Sequence, residues 1–133
     1  MLYIVDSSVV LKWYLDDQEE NNSRALSIKD AYLAGECDII VPRLLFYEVG
    51  NVLAQKKPKD AQRYIQALFD MGLSQYPEEE SFFRKTVEIS QQTGTTVYDA
   101  SFHALAILTG GTLITADAKY YAQAKQLGNI ELL

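Results

Sequence analysis

A chain of 133 residues predicts one domain over residues 1–133 with room for a true core, and 48% hydrophobic against 23% charged residues excludes a disordered polymer. The formal net charge of −6 argues against a simple polyanion binder, because phosphate binding needs positive potential; carboxylate-bound divalent cations would offset most of that charge. The single cysteine, Cys37, excludes an internal disulfide and a thiolate zinc site and fits a reducing cytoplasm; no apolar run reaches a membrane span, and no basic segment followed by an apolar one opens the chain as a leader.

The first element, Leu2-Tyr3-Ile4-Val5, reads as a short strand buried on both faces, and it stops at a carboxylate, Asp6. Open α/β sheets bind ligands at the carboxyl ends of their strands, which is where this acid falls. Ser7 or Ser8 is placed to cap the next helix, predicted over Ser8 to Leu15 from the recurrence of Val9, Val10, Trp13 and Tyr14. Asp16 to Asn22 reads as an acidic surface loop. Ala25, Leu26, Tyr32 and Leu33 predict one face of a second helix, with Gly35 at its end.

Asp38-Ile39-Ile40-Val41 is a second strand, closed by Pro42, and Leu44 to Gln55 a helix ended by Lys56, Lys57 and Pro58. Lys59 to Met71 predicts another helix with Tyr64, Ile65, Leu68 and Phe69 inward. Leu73 to Tyr76 is a brief edge strand, and Glu78, Glu79 and Glu80 open a helix where acids suit the positive dipole end. That helix runs to a stop near Gly94. Tyr98 to Thr109 is a strongly apolar helix broken by Gly110-Gly111. Thr112-Leu113-Ile114-Thr115 is a strand that again ends beside a carboxylate, Asp117; a helix from Ala118 to Leu127 and a strand from Ile130 to Leu132 close the chain. Strands alternating with helices imply an α/β fold with a parallel sheet.

Four acids share a pattern. Asp6 and Asp117 follow apolar strands, while Glu48 and Asp99 are embedded in apolar helices, with no Lys or Arg beside Asp6, Glu48 or Asp99 in sequence. Acids rarely lie against a core unless paired or bound to metal. Should the four converge, their repulsion must be relieved by raised pKa values or by cations. Oxygen-only ligation suits Mg²⁺ or Mn²⁺, and such ions activate water and steady phosphodiester oxygens. Any single one of these acids is as readily explained as an exposed residue or a helix cap; the joint pattern is what carries weight.

The segments Ile4-Val5-Asp6-Ser7-Ser8-Val9, Pro42 through Glu48-Val49-Gly50-Asn51-Val52-Leu53, Val97-Tyr98-Asp99-Ala100 and Leu113-Ile114-Thr115-Ala116-Asp117 resemble, in order and across essentially the whole chain, the motifs of PIN-domain ribonucleases, nearest to the VapC toxins of toxin–antitoxin pairs. That resemblance implies a three-layer α/β/α fold with a mainly parallel sheet and a metal site of Asp6, Glu48, Asp99 and Asp117. It further implies endonucleolytic cleavage of RNA, a homodimer, and inhibition by a small antitoxin. Asp6 and Asp99 are expected as principal ligands, with Glu48 and Asp117 completing the site.

Softer matches are Thr115, Ser8 and Asn51. Thr115 is read either as holding a metal-bound water or phosphate oxygen, or as a strand-end hydroxyl bonded to backbone. Ser8 is equally explained as a helix cap, and Asn51 either orients Glu48 or faces solvent. His103, one turn after Asp99, is more simply a packed or solvated histidine than a ligand. Lys12, Arg43, Lys119 and the cluster Lys56, Lys57, Lys59 and Arg63 are candidate RNA contacts. Tyr14, Tyr47 and Tyr98 offer stacking surfaces, against the commoner role of core packing. A signalling receiver domain fits poorly, since Asp6 is followed by Ser7 and no matching Asp and Lys pair is found. A PIN-like module that binds RNA or protein without cutting remains the alternative.

Overall fold

The structure is a computed structural model that describes residues 1–15 and 22–133; residues 16–21, and with them all of the predicted acidic loop except Asn22, lie outside the described residues. Five strands form one parallel sheet: β1 (Leu2–Val5), β2 (Asp38–Val41), β3 (Ser74–Gln75), β4 (Thr112–Thr115) and β5 (Ile130–Leu132), in the order β3-β2-β1-β4-β5. Helices α1 (Ser7–Leu11), α2 (Asn22–Leu33), α3 (Leu44–Lys56), α4 (Ala61–Asp70), α5 (Glu80–Thr93), α6 (Val97–Thr109) and α7 (Ala118–Ala124) make this a three-layer α/β/α fold. Parallel strands need crossovers, and helices that cover both sheet faces explain why β1 and β4 are nearly continuous apolar runs.

The strand order places β1 at the centre. The chain leaves it on one side toward β2 and β3, then returns on the other toward β4 and β5. The crevice between the ends of β1 and β4 is therefore the switch point of the sheet, where ligands of such folds bind. Close approach of the two strands has a sequence signature in Gly111. A Cβ there would lie 2.8 Å from Ile4 Cδ1 and 3.0 Å from the Leu2 carbonyl.

Core helices follow from their spacing. Leu45, Val49 and Leu53 of α3 recur every four residues and are fully buried, each worth roughly 1.5–3 kcal/mol of transfer free energy. In α6, Ala100 to Ala106 are all buried, which explains the absence of a polar face there. Gly94, in the left-handed region at φ 68°, ends α5, and the Thr96 side chain caps α6 by accepting the Asp99 N–H.

Three expectations are corrected. The first helix stops at Leu11, followed by a turn; Trp13 is buried beyond it because its indole N–H donates to the Ala25 carbonyl at 2.9 Å. The buried face of α2 is Ala25 and Ile28, while Leu26 and Leu33 are exposed: Leu26 stands one residue, some 100°, off the stripe. Phe69 of α4 is 52% exposed and stacks on Phe46 with ring centroids 4.2 Å apart, so it leans along the α3–α4 surface rather than inward.

Candidate active site

Asp6 ends the central strand and caps α1 itself, accepting the Val9 N–H, so the cap expected of Ser7 or Ser8 belongs to the acid. Register brings it beside β4: Val5 pairs with Ile114, and the next level sets Asp6 beside Thr115. The Thr115 hydroxyl donates to Asp6 Oδ2 at 2.5 Å and accepts the Asp117 N–H at 3.0 Å. The Ser8 hydroxyl donates to Asp6 Oδ1 and accepts the Ala116 N–H at 2.9 Å. Two hydroxyls thus lace the Asp6 carboxylate to the backbone of the β4–α7 loop. Burial pushes the Asp6 pKa up to about 6, against the lowering effect of Ser8, Thr115 and the Val9 N–H, with the Asp117 charge adding to the rise.

Glu48 comes from the middle of α3 and is half-buried. Its Oε1 accepts the Ser7 hydroxyl at 3.1 Å; burial raises its pKa, and the Asp99 and Asp6 charges raise it further. Asp99 occupies the first turn of α6, before that helix enters the core at Ala100. It is therefore exposed, not embedded as its apolar neighbours suggest. Partial desolvation and the Asp117 charge raise its pKa, and the Thr96 contact lowers it. Asp117 caps α7 by accepting the Tyr120 N–H at 3.0 Å. Four acids from four stretches of chain thereby share one electrostatic field. The ion pairs among the described residues, Arg24–Glu131, Arg63–Asp60 and Lys85–Glu88, leave all four out.

The donor set fits Mg²⁺ or Mn²⁺ in its chemistry: oxygen alone, with carboxylates whose mutual repulsion a cation relieves. As the side chains lie, no three His, Cys, Asp or Glu groups among the described residues stand close enough to chelate an ion. Ligation thus requires the acids to draw together. Beside them a cleft of about 330 Å³ is lined by Thr95, Thr96, Asp99, Asp117, Lys119 and Tyr120, which places one candidate RNA-contacting cation, Lys119, at the acids.

Asn51 lies away from this arrangement. It is exposed on α3, and its side-chain oxygen accepts from Gln55 at 3.5 Å, so it faces solvent and Ser7 supplies the contact to Glu48. Ser7 was visible in sequence only as a cap candidate; its reach to Glu48, 41 residues on, is set by packing of α1 on α3. His103 is fully buried with both ring nitrogens bonded, to the Tyr120 hydroxyl at 2.9 Å and the Gly128 carbonyl at 2.7 Å, which removes it as a ligand. Tyr14 packs against Tyr64, but Tyr47 and Tyr98 are 74% and 60% exposed, so core packing fails for these two neighbours of Glu48 and Asp99. Arg43 borders a separate apolar groove with both tyrosines, Phe83 and Val87, while Arg63 is paired with Asp60.

The PIN domain family model matches residues 3–126. Comparison with curated protein sequences gives no match. Among solved structures the fold is similar to PAE2754 from Pyrobaculum aerophilum (TM-score 0.71, 18% identity, 99% of this chain and 89% of that one). It is also similar to VapBC2 from Rickettsia felis bound to a DNA fragment from its promoter (TM-score 0.71, 16% identity, 100% and 99%). A third similar structure is VapC20 from Mycobacterium tuberculosis, described as a sarcin-ricin loop cleaving toxin (TM-score 0.69, 13% identity, 90% and 93%).

Proposed function

This chain belongs to the PIN domain family, and on that footing we propose that it is a metal-dependent endoribonuclease, the toxin of a toxin–antitoxin pair, hydrolysing RNA phosphodiester bonds. The reading is supported by the mutual influence of four acids about the switch point of the sheet: Asp6, Glu48 and Asp99 are each raised in pKa by burial and by the charge of another of the set Asp6, Glu48, Asp99 and Asp117. A nuclease as such is supported by the family. RNA as substrate and a small antitoxin as partner are supported by the neighbours described as a toxin cleaving the sarcin-ricin loop and as a VapBC assembly.

Asp6 and Asp99 are the principal ligands in this proposal, and Glu48 and Asp117 complete the site and orient the attacking water. Bound Mg²⁺ or Mn²⁺ would supply positive charge at the scissile phosphate and lower the pKa of water there. Ser8 and Thr115 hold the Asp6 carboxylate in one orientation, Ser7 holds Glu48, and Lys119 offers a charge to phosphate from the cleft wall. A homodimer is supported by the apolar groove of about 330 Å³ whose rim exposes Phe83, Val87, Val97 and Tyr98. A cytoplasmic location completes the proposal; among the described residues no helix is long and apolar enough to cross a membrane.

The test is cleavage of a mixed pool of structured RNAs by wild type and Asp99→Asn, with EDTA, Mg²⁺ or Mn²⁺. Cleavage that requires both the cation and Asp99 is the expected result. RNA binding that is indifferent to cations, with no cleavage in any condition, would assign the chain to the non-cutting module instead.

A further inference from the structure

Beneath the acids lies a second polar pair, which the proposed chemistry does not use. His103 is one turn along α6 from Asp99 (i, i+4), and Tyr120 is one turn along α7 from Asp117 (i, i+3). Each therefore shares a helix face with its acid, one layer further along. The His103 and Tyr120 side chains are buried, their rings meet edge-on with centroids 5.7 Å apart, and Tyr120 also lines the cleft that holds Asp99 and Asp117.

The direction of the hydrogen bonds follows from their far end. The Gly128 carbonyl can only accept, so His103 Nε2 carries the proton it donates at 2.7 Å. Burial holds the imidazole neutral, which leaves Nδ1 a bare acceptor, and the Tyr120 hydroxyl donates into it at 2.9 Å. At its other end Tyr120 donates its backbone N–H to Asp117 Oδ1 at 3.0 Å. One continuous chain of bonds therefore runs from the Asp117 carboxylate through Tyr120 and His103 to Gly128, and it crosses from α7 to α6.

Such a link has a task at this place. Asp99 and Asp117 repel each other, and nothing apolar beneath them would fix the register of α6 against α7, because hydrophobic contact is non-directional. A leucine and a phenylalanine would fill the same volume without desolvating an imidazole and a phenol. We propose that the His103–Tyr120 pair is a positioning strut that fixes the spacing of Asp99 and Asp117 and so sets the affinity of the acid cluster for a divalent cation. This inference rests on the reading of the four acids as a cation site.

The experiment uses Mn²⁺ alone as the probe. It is titrated calorimetrically into the metal-free wild type, Tyr120→Phe, His103→Gln and the double variant His103→Leu/Tyr120→Phe, with melting temperature recorded for each. Tyr120→Phe should raise the Mn²⁺ Kd about tenfold or more, as loss of a supporting hydrogen bond does at other sites. His103→Gln, whose amide can accept from Tyr120 and donate to Gly128, should keep the affinity within about twofold of wild type. In the double variant the two facing side chains are apolar and the Gly128 carbonyl, at an exposed residue, can take water in place of His103, so the melting temperature should return toward wild type while the affinity stays low. Affinity that recovers together with melting temperature, or a Tyr120→Phe protein that binds Mn²⁺ like wild type, overturns the strut. A wild type that binds no Mn²⁺ overturns the cation reading itself, and the strut with it.

Discussion

Thr115 joins the two central strands at the point where chemistry is expected: its hydroxyl donates to Asp6 Oδ2 and accepts the Asp117 N–H. One side chain thus orients the first acid and fixes the loop that carries the last. Thr115→Val keeps the shape, removes both bonds and leaves a half-buried N–H and a carboxylate short of partners, at a cost of about 1–3 kcal/mol. Cleavage should fall about tenfold or more, and Thr115→Ser should restore most of it. Initial rates and melting curves for the three proteins decide this; a valine variant indistinguishable from wild type would make the bond incidental.

Asp6→Asn separates activity from stability. The change removes the charge that burial disfavours but keeps an acceptor for the Val9 N–H, so the cap of α1 survives. Metal-free Asp6→Asn should melt close to the wild-type temperature near pH 7.5, because relief of the buried charge offsets the Thr115 bond that the amide NH2 cannot accept, while cleavage drops by roughly a thousandfold or more, the scale of lost electrostatic stabilisation. A variant that cleaves at the wild-type rate would remove Asp6 from the mechanism.

The same raised pKa sets a pH dependence. Asp6 moves from 3.8 to about 6 on folding, so between those values the native state holds more protons than the unfolded chain. The Asp6 contribution to the stability of the metal-free protein is therefore fully present below that window and falls by about 2–3 kcal/mol as pH rises through it; His103, held neutral by burial, acts in the opposite direction below its ordinary pKa of 6.5. Glu48 and Asp99, also raised, act in the same direction as Asp6. Because a cation binds the deprotonated acids, the stabilisation conferred by Mn²⁺ should grow over the same range. Urea unfolding of wild type and Asp6→Asn from pH 4 to 7.5, with and without Mn²⁺, isolates the Asp6 slope; a wild type that loses no stability relative to Asp6→Asn as pH rises through the window would contradict the buried carboxylate.

Gly111 tests the strand contact on which the site depends. Its missing Cβ leaves room for Ile4 and the Leu2 backbone, and a backbone oxygen cannot move aside cheaply. Gly111→Ala should destabilise by about 1–3 kcal/mol, typical of overpacking, and lower cleavage by shifting β4 against β1. Equal melting temperatures for alanine and glycine would show that the two strands have slack.

Much of this fold was readable because its signals are local. Strands β1, β2 and β4 announce themselves as short β-branched runs, and glycines at 72, 94 and 110, all at positive φ, mark helix ends as expected. Strand order was not readable, since pairing β1 with both β2 and β4 is a property of distant segments. The failures share that cause. Leu26, Phe69 and Tyr47 look like core residues by type, but which helix face is buried depends on what packs there. Asp99 reads as embedded because its neighbours are apolar, yet it precedes the buried part of α6. Ser7 and Asn51 show the limit most directly: the sequence leaves Asn51 open between orienting Glu48 and facing solvent, and offers no sign that the partner of Glu48 comes from another helix.

That last contrast is open to measurement. Ser7→Ala removes the donor to Glu48 Oε1, freeing a half-buried carboxylate to change rotamer; the hydroxyl also lowers the Glu48 pKa, which should rise without it. Cleavage should fall several-fold, and the acid limb of its pH profile should move upward. Asn51→Ala touches an exposed side chain whose bond, to Gln55, is at the outer limit of hydrogen-bond length, so stability should stay within about 0.5 kcal/mol and the rate within about twofold. Parallel pH–rate profiles of the two variants settle the assignment. A large loss in Asn51→Ala with none in Ser7→Ala would reverse it, and would mean that Glu48 turns toward its own helix when RNA is bound.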